Sequence, residues 1–270
     1  MKRLISFITA VLSIIVPISP ADSSTDTPQE LLVIMYHHIS ERSSLLNDYV
    51  ITPEEFENDL KYLKNSGFES VKTEQILSGN MPEKAVLITF DDGFSSNYRY
   101  AKPLLEKYGM TAVCAVIGSV MLEYTEHPNT VSDCAYMDIP TVKEMLSSGT
   151  FEIACHTYDM HKTQTRKGCS RLKYESEADY TAALTEDLIK FNSLYSESFG
   201  TDTDIIAFPY GEYSEMTVNI AENCGYKIML TCDEKINKIT ADKSSPVILG
   251  RFNRPHGMSS EEFFRHVYGE

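Results

Sequence analysis

The sequence predicts an α/β fold of parallel βαβ units closing into a barrel, with an open doubly wound sheet as the alternative. Three observations carry this prediction. From Leu31 onward, short apolar runs alternate with helical patterns. Several of these runs are apolar almost throughout, as expected where both faces of a strand are covered. Seven or eight such units follow one another with no internal repeat and no low-complexity linker, so the chain reads as one domain.

Residues 1–21 stand apart from that fold. Lys2 and Arg3 precede an uncharged stretch from Leu4 to Pro20. It ends in Ser19-Pro20-Ala21, the pattern of a secretory signal peptide with small residues at the cleavage positions. The stretch is shorter than the roughly 20 residues a spanning helix needs, and Pro17 and Pro20 interrupt it. The expectation is a secreted or cell-surface protein with no membrane span after cleavage. Residues 22–30 read as a polar leader and 31–270 as the folded domain. Removing Lys2 and Arg3 leaves 22 basic against 39 acidic residues, a net charge of −17. Nucleic acid and anionic lipid both demand a basic surface, so neither is expected as a partner.

The predicted strands are 31–39, 68–71, 85–90, 111–117, 151–155, 205–208, 226–231 and 247–252. Thr52-Pro53-Glu54-Glu55 supplies an N-cap Thr, a Pro at the first helical position and a Glu at the third. Phe56, Leu60 and Leu63 then share one face, and Gly67 ends that helix. Ser259 and Glu262 repeat the capping-box spacing ahead of Phe263 and Val267. The longest insertions without a strand are 118–140 and 157–204. Of the six cysteines, Cys114 and Cys155 lie in apolar strand-like runs. Cys134 and Cys169 lie in polar loops and are the better candidates for a bridge. No CxxC spacing is present, which argues against a cysteine-type zinc site.

In either α/β architecture, functional residues collect at the C-terminal ends of strands. Four of those ends are unusually polar: "MYHHI" with His37 and His38, "TFDDG" with Asp91 and Asp92, "CHTYDMH" with His156 and His161, and "FPYGE" with Pro209, Tyr210 and Gly211. Two His and a carboxylate form a facial ligand set for Zn²⁺ or a related divalent ion such as Co²⁺ or Ni²⁺. Taken singly each signal is weak, because Asp-Gly is a common turn and a strand-end His is usually just hydrogen-bonded. Together, at four strand ends of one pattern, they describe a site.

"TFDDG" at 89–93 with "HTYDMH" at 156–161 resembles the NodB-homology polysaccharide deacetylases, carbohydrate esterase family 4. The similarity runs from "VIMYHHIS" through "RFNRPHG" and is strongest to the branch that contains secreted poly-N-acetylglucosamine deacetylases. The resemblance implies a distorted (β/α)7-type barrel, a divalent metal and hydrolysis of N-acetyl groups on an acetylated polysaccharide. By position, Asp91 matches the general base, Asp92 the metal-binding carboxylate, and His156 and His161 the metal-binding histidines. Pro209-Tyr210-Gly211 matches a groove wall whose Tyr210 N–H helps hold the developing oxyanion. A monomer is expected.

Two departures from the pattern stand out. The common Arg that orients the catalytic Asp is replaced by Ala207, leaving Arg251 or Arg254 as substitutes. The C-terminal segment that carries a general-acid His is also missing, so that role falls to His37, with His256 in "NRPHG" as its rival. The chain has 16 Tyr and no Trp, so sugar stacking would use Tyr or Phe; Tyr36, Phe94, Tyr158 and Tyr210 sit beside the motifs. Two other readings stay open, an O-acetyl esterase on xylan or another glycan and a carbohydrate-binding relative without catalysis. A serine hydrolase is disfavoured by the absence of GxSxG.

Overall fold

The computed structural model describes residues 28–128, 132–240 and 246–269. The predicted signal peptide at 1–21 lies outside these residues. Among the described residues, seven parallel strand segments form a nearly closed barrel. The strands Gln29–Tyr36, Ala85–Phe90, Ala112–Val116, Phe151–Cys155, Ile205–Ala207, Ile228–Leu230 and Val247–Leu249 follow one another in the sheet. The ring closes through one short stretch of chain. Val247–Leu249 pairs with Ile228–Leu230, and Phe252 and Asn253 then pair with Ile34 and Met35 of the first strand. Asn237–Ile239 fills the start of that seam, antiparallel to Gln29–Leu31. That pairing is why the first strand starts within the predicted leader.

Three predicted strands shorten or break for a visible reason, while 111–117, 205–208 and 226–231 lose only end residues. The segment 68–71 shortens to Glu69–Ser70, pairing only with the start of Ala85–Phe90. The segment 31–39 breaks at His37, because His38–Ile39 leaves the barrel to pair with Val50–Ile51. The segment 247–252 breaks at Gly250 and Arg251. A Cβ at Gly250 would run into the Asp233 carbonyl oxygen. Both polar groups of the Gly250 peptide unit are instead held by the Asn237 side chain, at 2.8 Å each.

Alternation along the strands sorts the core into two layers. Leu32, Ile34, Tyr36, Val86, Ile88, Phe90, Ile153, Cys155 and Ile206 pack outward on helix residues such as Phe56, Leu60, Leu63 and Leu188. The alternate set, Val33, Leu87, Val113, Ala115, Ala154, Ala207, Leu230 and Leu249, meets across the barrel interior over Val71, Ile76 and Met81. The helix Pro53–Asn65 has the expected capping box on Thr52 and Glu55, and the helix Ser260–Tyr268 the one on Ser259 and Glu262. The 157–204 insertion contains the long helix Glu177–Phe199. All six cysteines are free, which overturns the proposed bridge. Cys134 is exposed, whereas Cys169 is buried in the core.

Candidate active site and metal centre

The strand Ala85–Phe90 is buried along its whole length. The Asp91 N–H donates to the Tyr36 carbonyl at 2.9 Å, so the ladder holds Asp91 at the barrel mouth. Its carboxylate accepts two parallel hydrogen bonds from Arg251, Nη1 to Oδ1 at 2.7 Å and Nη2 to Oδ2 at 2.8 Å. Arg251 is fully buried, and its Nε donates to the Thr231 carbonyl at 2.9 Å. Burial alone would raise the Asp91 carboxyl. The Arg251 guanidinium, together with His156 and His37, outweighs it and holds the group below the usual carboxylate range. Arg251 therefore takes the place of the Arg missing at position 207. Arg254 does not, because it pairs with Asp59 at 2.8 Å inside the core.

Adjacent carboxylates repel unless the backbone turns them apart. Asp92 has φ 70° and Gly93 φ 80°, a left-handed pair that swings the Asp92 carboxylate off the strand direction. Among the described residues, the other positive-φ residues that are not glycine are Thr157 and Tyr210. All three belong to the predicted site motifs, and such strain costs of order 1–3 kcal/mol per residue. Asp92 Oδ1 lies 3.1 Å from His161 Nε2 and 3.4 Å from His156 Nε2. The three ligand atoms lie within 4.8 Å of one another.

These residues fit a divalent ion. Among the described residues, Asp92 Oδ1 is buried and has no hydrogen-bond partner, although two ring nitrogens face it. His156 Nδ1 lies 2.8 Å from the Ala207 carbonyl, an acceptor only, so Nδ1 carries the proton and Nε2 presents a lone pair. His161 Nδ1 lies 3.1 Å from the Tyr210 hydroxyl.

A cavity of about 740 Å³ opens over this cluster. It brings together Asp91, Asp92, His156, His161, Arg251, His37, Phe94 and Tyr210 from separate strand ends. His37 has a buried Nδ1 without a partner among the described residues, stands edge-on to Tyr49 with ring centroids 5.0 Å apart, and accepts a bond from Asn97 at its carbonyl. Burial pushes the His37 imidazole below its ordinary value, against the opposing pull of Asp91 and Asp92. The Tyr210 N–H, at a backbone φ of 60°, finds no acceptor among the described residues.

Several sequence assignments are corrected. Tyr36 points outward into the core, stacked on Phe90, with its hydroxyl donating to Asp59 at 3.0 Å. Tyr158 packs against the helical layer, because the loop after His156 is held by Asp187, which accepts from the Tyr158 and Asp159 N–H groups at 2.7 and 2.8 Å. Pro209 and Gly211 do not line the cavity; they form the turn that presents Tyr210, where a Cβ on Gly211 would collide with Cys232. His256 lies outside the cavity and is held by Glu55 at 2.9 Å, so the structure withdraws it as a general acid. Conversely, His38, Tyr49, Lys167 and Glu234 line the cavity without having been assigned to it. Only His38 had a sequence signal, its place in the "HH" pair.

Comparison with known proteins agrees with this geometry. A family model described as polysaccharide deacetylase matches residues 78–229, just over half of the chain. YxkH of Bacillus subtilis (strain 168), named as a polysaccharide deacetylase, is 30% identical over 77% of this chain and 67% of its own. The poly-beta-1,6-N-acetyl-D-glucosamine N-deacetylase of Staphylococcus aureus (strain MRSA252) is 26% identical over 98% of this chain and 95% of its own. The solved structure of IcaB from Ammonifex degensii superposes with a TM-score of 0.71 at 26% identity, covering 90% of this chain and 97% of that one. On the family match and the YxkH identity, this chain belongs to the polysaccharide deacetylase family.

Proposed function

We propose that this chain is a secreted, metal-dependent hydrolase that removes N-acetyl groups from a glycan containing N-acetylglucosamine and releases acetate. One observation carries the reading: the unpartnered Asp92 Oδ1 facing His156 and His161, beside an Asp91 locked by Arg251, in a single cavity. The names of the Staphylococcus aureus and Ammonifex degensii relatives support the glycan. The N-terminal signal pattern supports export, and no helix of the described residues is long and apolar enough to cross a membrane. A pure binding module has no need for an ionised base, and the Arg251–Asp91 pair, which supplies a cation despite Ala207, supports an enzyme over such a module.

Each residue has a chemical task. Asp92, His156 and His161 would hold a divalent ion, Zn²⁺ by donor set with Co²⁺ or Ni²⁺ as alternatives, which when bound supplies Lewis-acid activation of water near neutral pH. Asp91, oriented by Arg251, takes the proton of the attacking water as general base. The Tyr210 N–H donates to the oxygen of the acetamide carbonyl as negative charge develops there. His37 acts in its protonated form, which Asp91 and Asp92 favour against burial; it delivers that proton to the departing nitrogen, which leaves as an amine on the sugar.

The deciding experiment measures acetate release from acetylated glycans, with chelator and with metals added back. The expected result is release from N-acetylglucosamine oligomers that stops on chelation and returns with Zn²⁺. Release from acetylated xylan alone would replace this reading with an O-acetyl esterase. Full activity in chelator would overturn the metal assignment.

A further inference from the structure

We propose that His38 is a substrate-recognition residue, presenting a fixed imidazole Nε2–H donor to a hydroxyl oxygen of the glycan; this rests on the function proposed above. His38 is 3% exposed yet lines the cavity. The chain places it there because the first strand breaks at His37, and His38 pairs instead with the short strand Val50–Ile51. Its ring packs against Phe94, with centroids 4.8 Å apart. Nδ1 lies 2.9 Å from Ser96 Oγ, and Nε2 is buried with no partner among the described residues.

Hydrogen-bond accounting assigns the tautomer. Ser96 Oγ accepts from the Ile39 N–H at 3.1 Å, and the Ser96 hydroxyl proton has no acceptor among the described residues other than His38 Nδ1. Ser96 therefore donates to Nδ1, and the ring proton resides on Nε2. Burial lowers His38 below its ordinary value, so the ring is neutral at pH 7 and keeps this tautomer. A buried donor without an acceptor is costly, and a cavity shaped for a sugar supplies hydroxyl oxygens. His37 and His38 thus divide the work, one giving a proton to the reacting nitrogen and one holding a sugar oxygen.

The test uses the metal-loaded, full-length protein carrying Asp91→Asn, whose turnover is slowed so that binding is read ahead of hydrolysis. The probe is a β-1,6-linked N-acetylglucosamine tetrasaccharide, titrated by calorimetry. His38→Leu should weaken binding about fivefold to tenfold, the range of one hydrogen bond. His38→Gln, whose amide nitrogen can replace Nε2, should stay within about threefold. ¹⁵N correlation spectra of His38 should show the Nε2–H tautomer, and Ser96→Ala should mix the two tautomers. Equal affinity in the His38→Leu variant would mean that water satisfies Nε2 and would overturn the proposal. Equal loss in the Leu and Gln variants would reduce His38 to a packing role, and an Nδ1–H tautomer would also overturn it. Failure of the Asp91→Asn parent to bind the tetrasaccharide would instead sink the function itself, and this contact with it.

Discussion

Two Arg–Asp pairs, three residues apart on the Arg side, occupy the two layers of this barrel. Arg251 with Asp91 faces the interior, and Arg254 with Asp59 lies outside the sheet, beneath the helices. All four side chains are buried. Asp59 is saturated, since it also accepts from Tyr36 at 3.0 Å and from Ser260 at 2.6 Å. It ties the first strand, the helix Pro53–Asn65 and the C-terminal helix together. Asp91 has Arg251 on one side and the open cavity on the other. The same ion pair is therefore a structural tie where every lone pair is used and a chemical device where one face is left open.

The strongest break in that comparison is Asp91→Asn against Asp59→Asn. Removing a general base costs about 10²–10⁴ in rate, so Asp91→Asn should fall that far in kcat with the metal retained. Asp59→Asn should keep its kcat per folded molecule and lose stability instead. His156→Ala should lose both activity and metal, and full metal occupancy in that variant would refute its place in the ligand set. Next come Arg251→Met and Arg254→Met. Breaking a buried pair costs about 3–5 kcal/mol, so both should unfold at lower denaturant. Only Arg251→Met should also lower kcat when assayed under conditions where both are folded. Matching kcat losses in the two variants would erase the distinction.

A smaller contrast separates the two histidines proposed as acid. His37→Ala should lower kcat by about 10²-fold, the lower end for general acid catalysis. His256→Ala, which only releases an exposed contact to Glu55, should stay within about twofold. Stopped acetate assays on one N-acetylglucosamine oligomer compare them directly, and equal mild losses would take His37 out of the acid role.

Much of this site was legible in strand alternation. Met35, His37, Thr89, Asp91, Ala154 and His156 share the inward parity, whereas Tyr36 and Phe90 share the outward one. The same rule applied to 247–254 distinguishes the two arginines, because Leu249 faces inward and Phe252 outward. Arg251 follows Leu249 inward, and Arg254 follows Phe252 outward. Alternation fails where the backbone departs from a strand. Thr157 at φ 66° turns Tyr158 away, under the control of Asp187 some thirty residues downstream. Tyr49 and Glu234 reach the cavity from loops whose course depends on distant partners, such as Asn253 donating to the Asp48 carbonyl. No local pattern announces those contacts.

The last and smallest prediction concerns pH. In the native protein the folded-state value of Asp91 is depressed, so its stabilisation is present above the unfolded value of about 3.9 and is lost as pH falls toward the folded one. In Arg251→Met the carboxylate is buried without its cation, which raises its folded value. The resulting penalty is full at neutral pH and is relieved as the group protonates. Between pH 7 and pH 4 only the second change acts, because the first lies below about 3.9, and it alone should narrow the stability gap between native and Arg251→Met. Arg254→Met should converge less, because burial already raises the Asp59 carboxyl in the native protein, so native and variant are both relieved as pH falls. Denaturant unfolding at pH 7, 5.5 and 4 reads both gaps. Parallel curves for Arg251→Met would show that Asp91 is held ionised by its other neighbours, His156 and His37, rather than by Arg251.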